Sequence, residues 1–165
     1  MTNLTGGCDC KKIRYELLNR PMFVNCCNCT WCQRETGSAF VINGVIESDN
    51  IKHHGQIPET KIIPSNSGKG QTLHFCPDCK VNLYSNYNGA SPFFSFVRIG
   101  TLDNPDECPP NAIIFTSTKQ KWVCYPDNIP QFEEYYDMKA LYPAESWARR
   151  AALKPKIDEW KAGLG

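Results

Sequence analysis

The chain has 165 residues and a formal charge of +1, from 18 basic and 17 acidic side chains; this is one domain in length, and the charge disfavours an electrostatic nucleic-acid binder or a polybasic membrane anchor. Hydrophobic residues at 41% and aromatics at 12% suffice for a buried core and exclude a disordered polymer. The ten cysteines stand out: with no secretory leader visible in MTNLTGGCDCKK and no run of about 18 apolar residues, a cytoplasmic location is expected, where thiols point to metal binding or catalysis rather than disulfides.

Residues 12–18 alternate, with Ile13, Tyr15 and Leu17 on one side and Lys12, Arg14 and Glu16 on the other, the pattern of a half-buried strand. Ser38 to Ile46 is β-rich, with Asn43-Gly44 as a turn or bulge. Short β pieces are expected over 51–63 around Gly55 and Pro58, then a loop from Pro64 to Gly70. Thr72 to Phe75 is a strand leading into a cysteine pair, and Asn82 to Gly89 has poor helical character. Phe93 to Gly100 and Ala112 to Thr116 read as buried strands, and Lys121 to Tyr125 as a further candidate. Twelve prolines and eleven glycines punctuate these segments, so the core is mainly β with many turns. From Pro143 onward the composition is helical. Pro155 is expected to break or restart that helix, with Ile157 and Trp160 sharing a face beyond it. This tail is expected to pack on the core or a partner.

Three cysteine patterns occur: Cys8-Asp9-Cys10, Cys27-Asn28-Cys29-Thr30-Trp31-Cys32 preceded by Cys26, and Cys76-Pro77-Asp78-Cys79. Residues two apart on an extended segment point to one face, and a Cys-x-x-Cys turn brings two sulfurs to one side of a tight loop. Pairing Cys8 and Cys10 with Cys76 and Cys79 supplies the four thiolates of a closed tetrahedral zinc site that staples the sheet. A redox Cys-x-x-Cys needs a strand–motif–helix setting that is not expected here. Cys27, Cys29 and Cys32 then remain. Spacing allows an open three-ligand zinc of catalytic type, or an inert site closed by Cys26, Cys108, Cys124 or a histidine. By default Cys26, Cys108 and Cys124 are buried small side chains or free thiols without an assigned role.

Gly7-Cys8-Asp9-Cys10, Ile13-Arg14-Tyr15-Glu16, the Cys27–Cys32 cluster, Thr36-Gly37-Ser38-Ala39-Phe40, Phe75-Cys76-Pro77-Asp78-Cys79, Arg98-Ile99-Gly100-Thr101-Leu102 and Ile129-Pro130-Gln131-Phe132 occur in one family's order. The chain resembles the glutathione-dependent formaldehyde-activating enzymes, a family that also contains centromere protein V. The resemblance implies a β-tent zinc fold of small antiparallel sheets over 1–132, leaving 133–165 as a partly helical C-terminal extension. It implies two zinc ions per chain, a structural one at Cys8, Cys10, Cys76 and Cys79 and a catalytic one at Cys27, Cys29 and Cys32. It further implies a carbon–sulfur lyase acting on a glutathione conjugate, with glutathione as co-substrate and S-hydroxymethylglutathione as the adduct. In this chain Asn28 stands where the family often has His, Lys80 where it usually has Gly, and Ile113 where a His often precedes the late Ile-Phe pair.

Thr36 and Ser38 are candidates for a small polar wall beside the open zinc position, and Arg34 for a glutathione carboxylate, with Arg98 and Lys121 weaker candidates. Trp31 and Phe40 line the pocket or belong to the core. His53 and His54 read as surface-turn residues, and His74 as a strand residue rather than a donor to a thiolate. The preferred function is zinc-dependent chemistry on a small thiol adduct, with no membrane or nucleic-acid partner; oligomeric state is not legible. The rival functions are a zinc-stabilised protein-binding module and a glutathione-independent lyase or isomerase on a small metabolite.

Overall fold

The computed structural model describes residues 4–65, 68–88 and 91–163. In chain order the strands are β1 (Leu4–Gly7), β2 (Ile13–Leu17), β3 (Phe23–Cys27), β4 (Val41–Glu47), β5 (Ile51–Gly55), β6 (Glu59–Ile63), β7 (Gln71–Phe75), β8 (Asn82–Tyr87), β9 (Phe94–Arg98) and β10 (Ala112–Ile114). The α-helices are α1 (Thr30–Thr36), α2 (Met138–Leu141) and α3 (Ala144–Ala162). Residues 66 and 67 of the expected Pro64–Gly70 loop, and residue 89, lie outside the described residues.

The strands form two sheets, a small one ordered β1-β2-β5 and a large one ordered β10-β3-β4-β9-β8-β7-β6. Among the described strands, pairing is antiparallel except between β10 and β3, which run parallel. The chain reaches β10 through a long irregular excursion after β9, so it can enter alongside β3 in the same direction.

Strand parity distributes the core. One face of the large sheet carries Val24, Ile46, Leu83 and Val97, and these pack, with Ile99 just after β9, against Ile13, Tyr15 and Leu17 of the small sheet. The opposite face carries Phe23, Cys27, Val41, Val45, Phe94, Ala112 and Ile114, covered by Tyr136, Tyr142 and Leu153 of the tail. The Phe23 and Tyr142 rings stack at 4.5 Å. Ser146 Oγ donates to the Met22 carbonyl at 2.6 Å, and Arg149 Nε donates to Glu47 Oε1 at 2.8 Å. The tail therefore supplies a wall of the second core, rather than hanging from the first.

Three expectations are corrected. Asn43-Gly44 is neither turn nor bulge; it lies in unbroken register with Arg98 and Val97. Glycine lets the strand pack closely there: a Cβ on Gly44 would sit 2.8 Å from Ile99 Cδ1 and 2.9 Å from Pro21 Cγ, so both side chains would have to shift. Lys121 to Tyr125 is not a strand but an irregular segment, turned by Val123 N–H donating to the Gln120 carbonyl and by Lys119 Nζ donating to the Val123 carbonyl. Pro155 does not break the tail helix, since α3 runs through it. Pro155 and Ala151 are both exposed, so the carbonyl that loses its partner faces water while Leu153 and Ile157 hold the helix down. No described helix is long and apolar enough to cross a membrane.

Candidate metal centres

Sulfurs of Cys8, Cys10, Cys76 and Cys79 all lie within 4.8 Å of one another. Cys8 Sγ is 3.4 Å from Cys10 Sγ, which is 3.6 Å from Cys76 Sγ. Zinc–sulfur bonds of about 2.3 Å in a tetrahedron require sulfur–sulfur edges of about 3.8 Å, so this donor set fits zinc. Two similar knuckles build it. In one, Lys11 N–H donates to the Cys8 carbonyl and Cys8 N–H to Ile13; in the other, Lys80 N–H donates to the Cys76 carbonyl and Cys76 N–H to Val81. Lys11 and Lys80 both adopt left-handed backbone, at φ 62° and 63°, so Lys80 takes the conformation a glycine would adopt freely. The Cys79 thiol is held down to about 6, first by the Cys10 backbone N–H and then by that of Val81, which favours the thiolate a metal needs.

Cys27, Cys29 and Cys32 form the second group, their sulfurs also within 4.8 Å. Among the described residues no fourth Cys, His, Asp or Glu joins them. Cys27 ends β3, and Cys29 caps α1, its sulfur accepting from the Cys32 backbone N–H at 3.4 Å. The helix ends at Gly37, whose left-handed φ of 67° and N–H bond to the Gln33 carbonyl close the last turn. One short loop and one short helix thus aim three sulfurs at a single point. Cys29 is held down to about 3, first by Cys27 and then by Cys32, which donate their S–H groups. Cys27 is pushed up to about 12 by the same contact with Cys29, and Cys32 is pushed up by both neighbours. Of the three sulfurs, Cys29 is the one whose thiolate is most favoured, and a metal that binds all three must displace the protons the others carry.

The two groups lie on opposite faces of the large sheet. Cys8 and Cys76 pack with the core beneath the small sheet, whereas Cys27 and Cys32 pack with the tail-covered core. Cys27 and Cys32 therefore belong to the same apolar cluster as Phe94 and Tyr136, with Cys29, Phe115 and Phe132 packed against it.

Parity also disposes of Asn28. It is fully buried, but its side chain points away from the sulfurs: Nδ2 donates to the Ile114 carbonyl at 3.1 Å, and Oδ1 accepts from Tyr125 Oη at 2.6 Å. The Tyr125 hydroxyl in turn accepts from the Cys26 thiol at 3.4 Å. Ile113 pairs with Cys26 on that same face. Neither position where histidine is common in the family addresses the three-cysteine centre in this chain.

The remaining sequence candidates are placed as follows. Thr36 Oγ1 donates to the Cys32 carbonyl at 2.8 Å and accepts from Ser38 N–H, so that hydroxyl closes the helix end. Ser38 and Arg34 are exposed. Arg98 is buried and engaged with Glu35 and Asn43, which removes it as a carboxylate anchor. Trp31 is half-buried, and the Phe40 ring meets Tyr125 edge-on at 5.9 Å. His53 Nε2 lies 2.9 Å from Tyr84 Oη, and His74 stacks on Tyr84 and bonds Asn86, so neither faces the sulfurs of a cluster. Cys108 is buried in the first core and Cys124 is exposed. Glu35 and Tyr125 were not marked by any local motif; each acts through a partner far away in sequence.

A family model described as glutathione-dependent formaldehyde-activating enzyme matches residues 3–118. A Talaromyces marneffei protein named "Putative glutathione-dependent formaldehyde-activating enzyme" is 22% identical over 157 residues, covering 94% of this chain and 82% of that protein. A crystal structure of a Rhodobacter sphaeroides protein is similar at 19% identity and a TM-score of 0.47, covering 62% of this chain and 93% of the other. All seven clustered cysteines lie within the matched span, and the chain belongs to the glutathione-dependent formaldehyde-activating enzyme family.

Proposed function

We propose that the protein makes and breaks a carbon–sulfur bond in a small thiol adduct, with glutathione and formaldehyde as the reacting pair. The observation that carries this reading is the contrast between the two cysteine groups: four sulfurs gather in one and three in the other. Four thiolates saturate a tetrahedral ion, whereas three leave a position for substrate. When bound at Cys27, Cys29 and Cys32, zinc supplies a Lewis acid able to take a substrate sulfur or polarise a carbonyl. Cys8, Cys10, Cys76 and Cys79 hold a structural zinc.

In the reaction the glutathione sulfur forms a bond to the formaldehyde carbon. The carbonyl π pair moves to oxygen, and oxygen takes the proton the thiol gives up, leaving S-hydroxymethylglutathione; the lyase direction reverses these steps. Backbone N–H groups of Cys32 and Trp31 hold negative charge on Cys29. Burial of Cys27 and Cys32 in the apolar cluster keeps bulk water from one side of the centre. Arg34, exposed on α1, meets a glutathione carboxylate, and Thr36 and Ser38 form the polar rim at the end of the helix. Cytoplasmic glutathione fits this substrate.

The test follows S-hydroxymethylglutathione by NMR at fixed formaldehyde and glutathione, with zinc-loaded protein and with Cys29→Ala. Acceleration over the spontaneous reaction that disappears in the variant is expected. A folded, two-zinc protein that does not accelerate the reaction overturns the substrate assignment.

A further inference from the structure

We propose that Glu35 is a positioning residue for the three-cysteine centre, fixing α1, and with it Cys32, on the sheet that carries Cys27. This rests on the reading above only in that the centre holds a metal.

Glu35 lies three residues after Cys32, on the same face of α1. Its Oε2 accepts from Arg98 Nη2 at 2.6 Å and its Oε1 from Asn82 Nδ2 at 3.0 Å. Arg98 Nη1 also donates to Asn43 Oδ1 at 2.6 Å. One carboxylate is thereby tied to β8 and β9 directly and to β4 through Arg98. Asn43 pairs in register with Asn25, two residues before Cys27 on β3. The connection thus runs from the helix bearing Cys32 to the strand beside Cys27. Of the other polar side chains in the last turn, Thr36 bonds within its own helix, and Gln33 Nε2 donates to the Asn28 and Thr118 carbonyls at 2.7 and 2.9 Å, reaching the neighbouring loops but no strand. Among the described residues, the hydrogen bonds from this turn to the sheet are those of Glu35.

Stability does not account for this arrangement. The Arg98 and Glu35 side chains are only 8% and 9% exposed. Desolvating two charges offsets much of their attraction, and a well-packed apolar pair is often as stable or more so. What the ion pair adds is direction: charge-assisted hydrogen bonds fix a helix in rotation and translation, where an apolar contact tolerates sliding. A metal centre needs this restraint, because its ligand distances tolerate only about 0.2 Å of error. Cys32 is supplied by a helix of seven residues, too short to hold its own position in isolation.

The test uses the full chain loaded with cobalt(II), whose ligand-field bands report each centre's geometry without substrate. In Glu35→Leu/Arg98→Met both charges leave together, so no buried charge is left unpaired. This variant is expected to keep its fold and the four-cysteine centre. Its three-cysteine centre should bind cobalt about 10–100-fold more weakly, with shifted bands, as when a group supporting a ligand is removed. Glu35→Asp, which keeps the ion pair but shortens the reach, should fall between. Wild-type affinity and bands in the folded double variant overturn the proposal. Loss of both centres together with the fold also overturns it, because the pair is then a general strut. A wild-type chain that takes up one cobalt fails the proposed function as well; two cobalts with an unperturbed double variant fail the positioning role alone.

Discussion

Replacing Asn28 by alanine separates two views of the residue between the first two cysteines of the second centre. If its side chain served that centre, the change would show first in metal binding or turnover. The structure instead makes it a buried clamp, bonded to the Ile114 carbonyl and the Tyr125 hydroxyl. Asn28→Ala removes two hydrogen bonds, each worth about 0.5–1.5 kcal/mol net. The Ile114 carbonyl keeps the Asn28 backbone N–H at 3.0 Å, so it is not orphaned. The Tyr125 proton loses its acceptor, which adds about 1 kcal/mol because this side chain is only half-buried and water can reach part of it. Allowing for partial relaxation, the total is about 2–4 kcal/mol. At this chain length each kcal/mol moves Tm by about 2–4 °C, so zinc-loaded Asn28→Ala should melt about 5–15 °C below wild type. Metal stoichiometry at room temperature should be unchanged. Asn28→His should also be destabilising, since the larger ring enters a fully buried site beside Tyr125. A variant melting within about 1 °C of wild type would refute the reasoning. So would a stable Asn28→His with a new ionisation near pH ~6.5 in its rate profile, because that would place the ring at the centre.

Cys29→Ala should lower bound zinc from two per chain to one, measured by elemental analysis, with circular dichroism and the four-cysteine centre intact; unfolding instead would make the second group structural. Lys80→Gly should raise stability by up to about 1 kcal/mol in urea denaturation, because the glycine adopts φ 63° without strain but loses more chain entropy on folding. Burial alone would raise the Glu47 carboxyl, but Arg149 outweighs it and holds it below its ordinary 4.5. A depressed carboxyl contributes stability that is present above 4.5 and lost as pH falls through the lower folded value. The Tm difference between wild type and Arg149→Met should therefore be largest at neutral pH and narrow below pH 4.5, where the bond to the Arg20 carbonyl remains; a constant difference would show that Arg149 does not act through the Glu47 charge.

What was legible in the sequence follows from how far apart the cooperating residues lie. The sulfur groups are assembled from short local motifs, so spacing paired Cys8 and Cys10 with Cys76 and Cys79, but it left open whether Cys27, Cys29 and Cys32 take a fourth protein ligand. Strands with one wet face, such as Ile13–Leu17, announce themselves by alternation. Phe23–Cys27 is buried at every position and so shows none. Asn82–Tyr87 hides for the opposite reason, since its buried Ser85 is bonded by Gln71 and its Asn86 by His74 and Phe94, so a polar string forms an interior strand. The α1 helix is too short for a hydrophobic period to emerge. Glu35 and Arg98 are 63 residues apart and Asn28 and Tyr125 are 97 apart, distances over which no local pattern operates. Parity, however, is local. Once Cys27 is placed at the end of a strand with extended backbone continuing through Cys29 at φ −62° and ψ 149°, alternation puts Cys27 and Cys29 on one side and Cys26 and Asn28 on the other. The identity of residue 28 then bears on how the loop is clamped, and the chemistry of the centre rests on the three sulfurs and on what holds their helix in place.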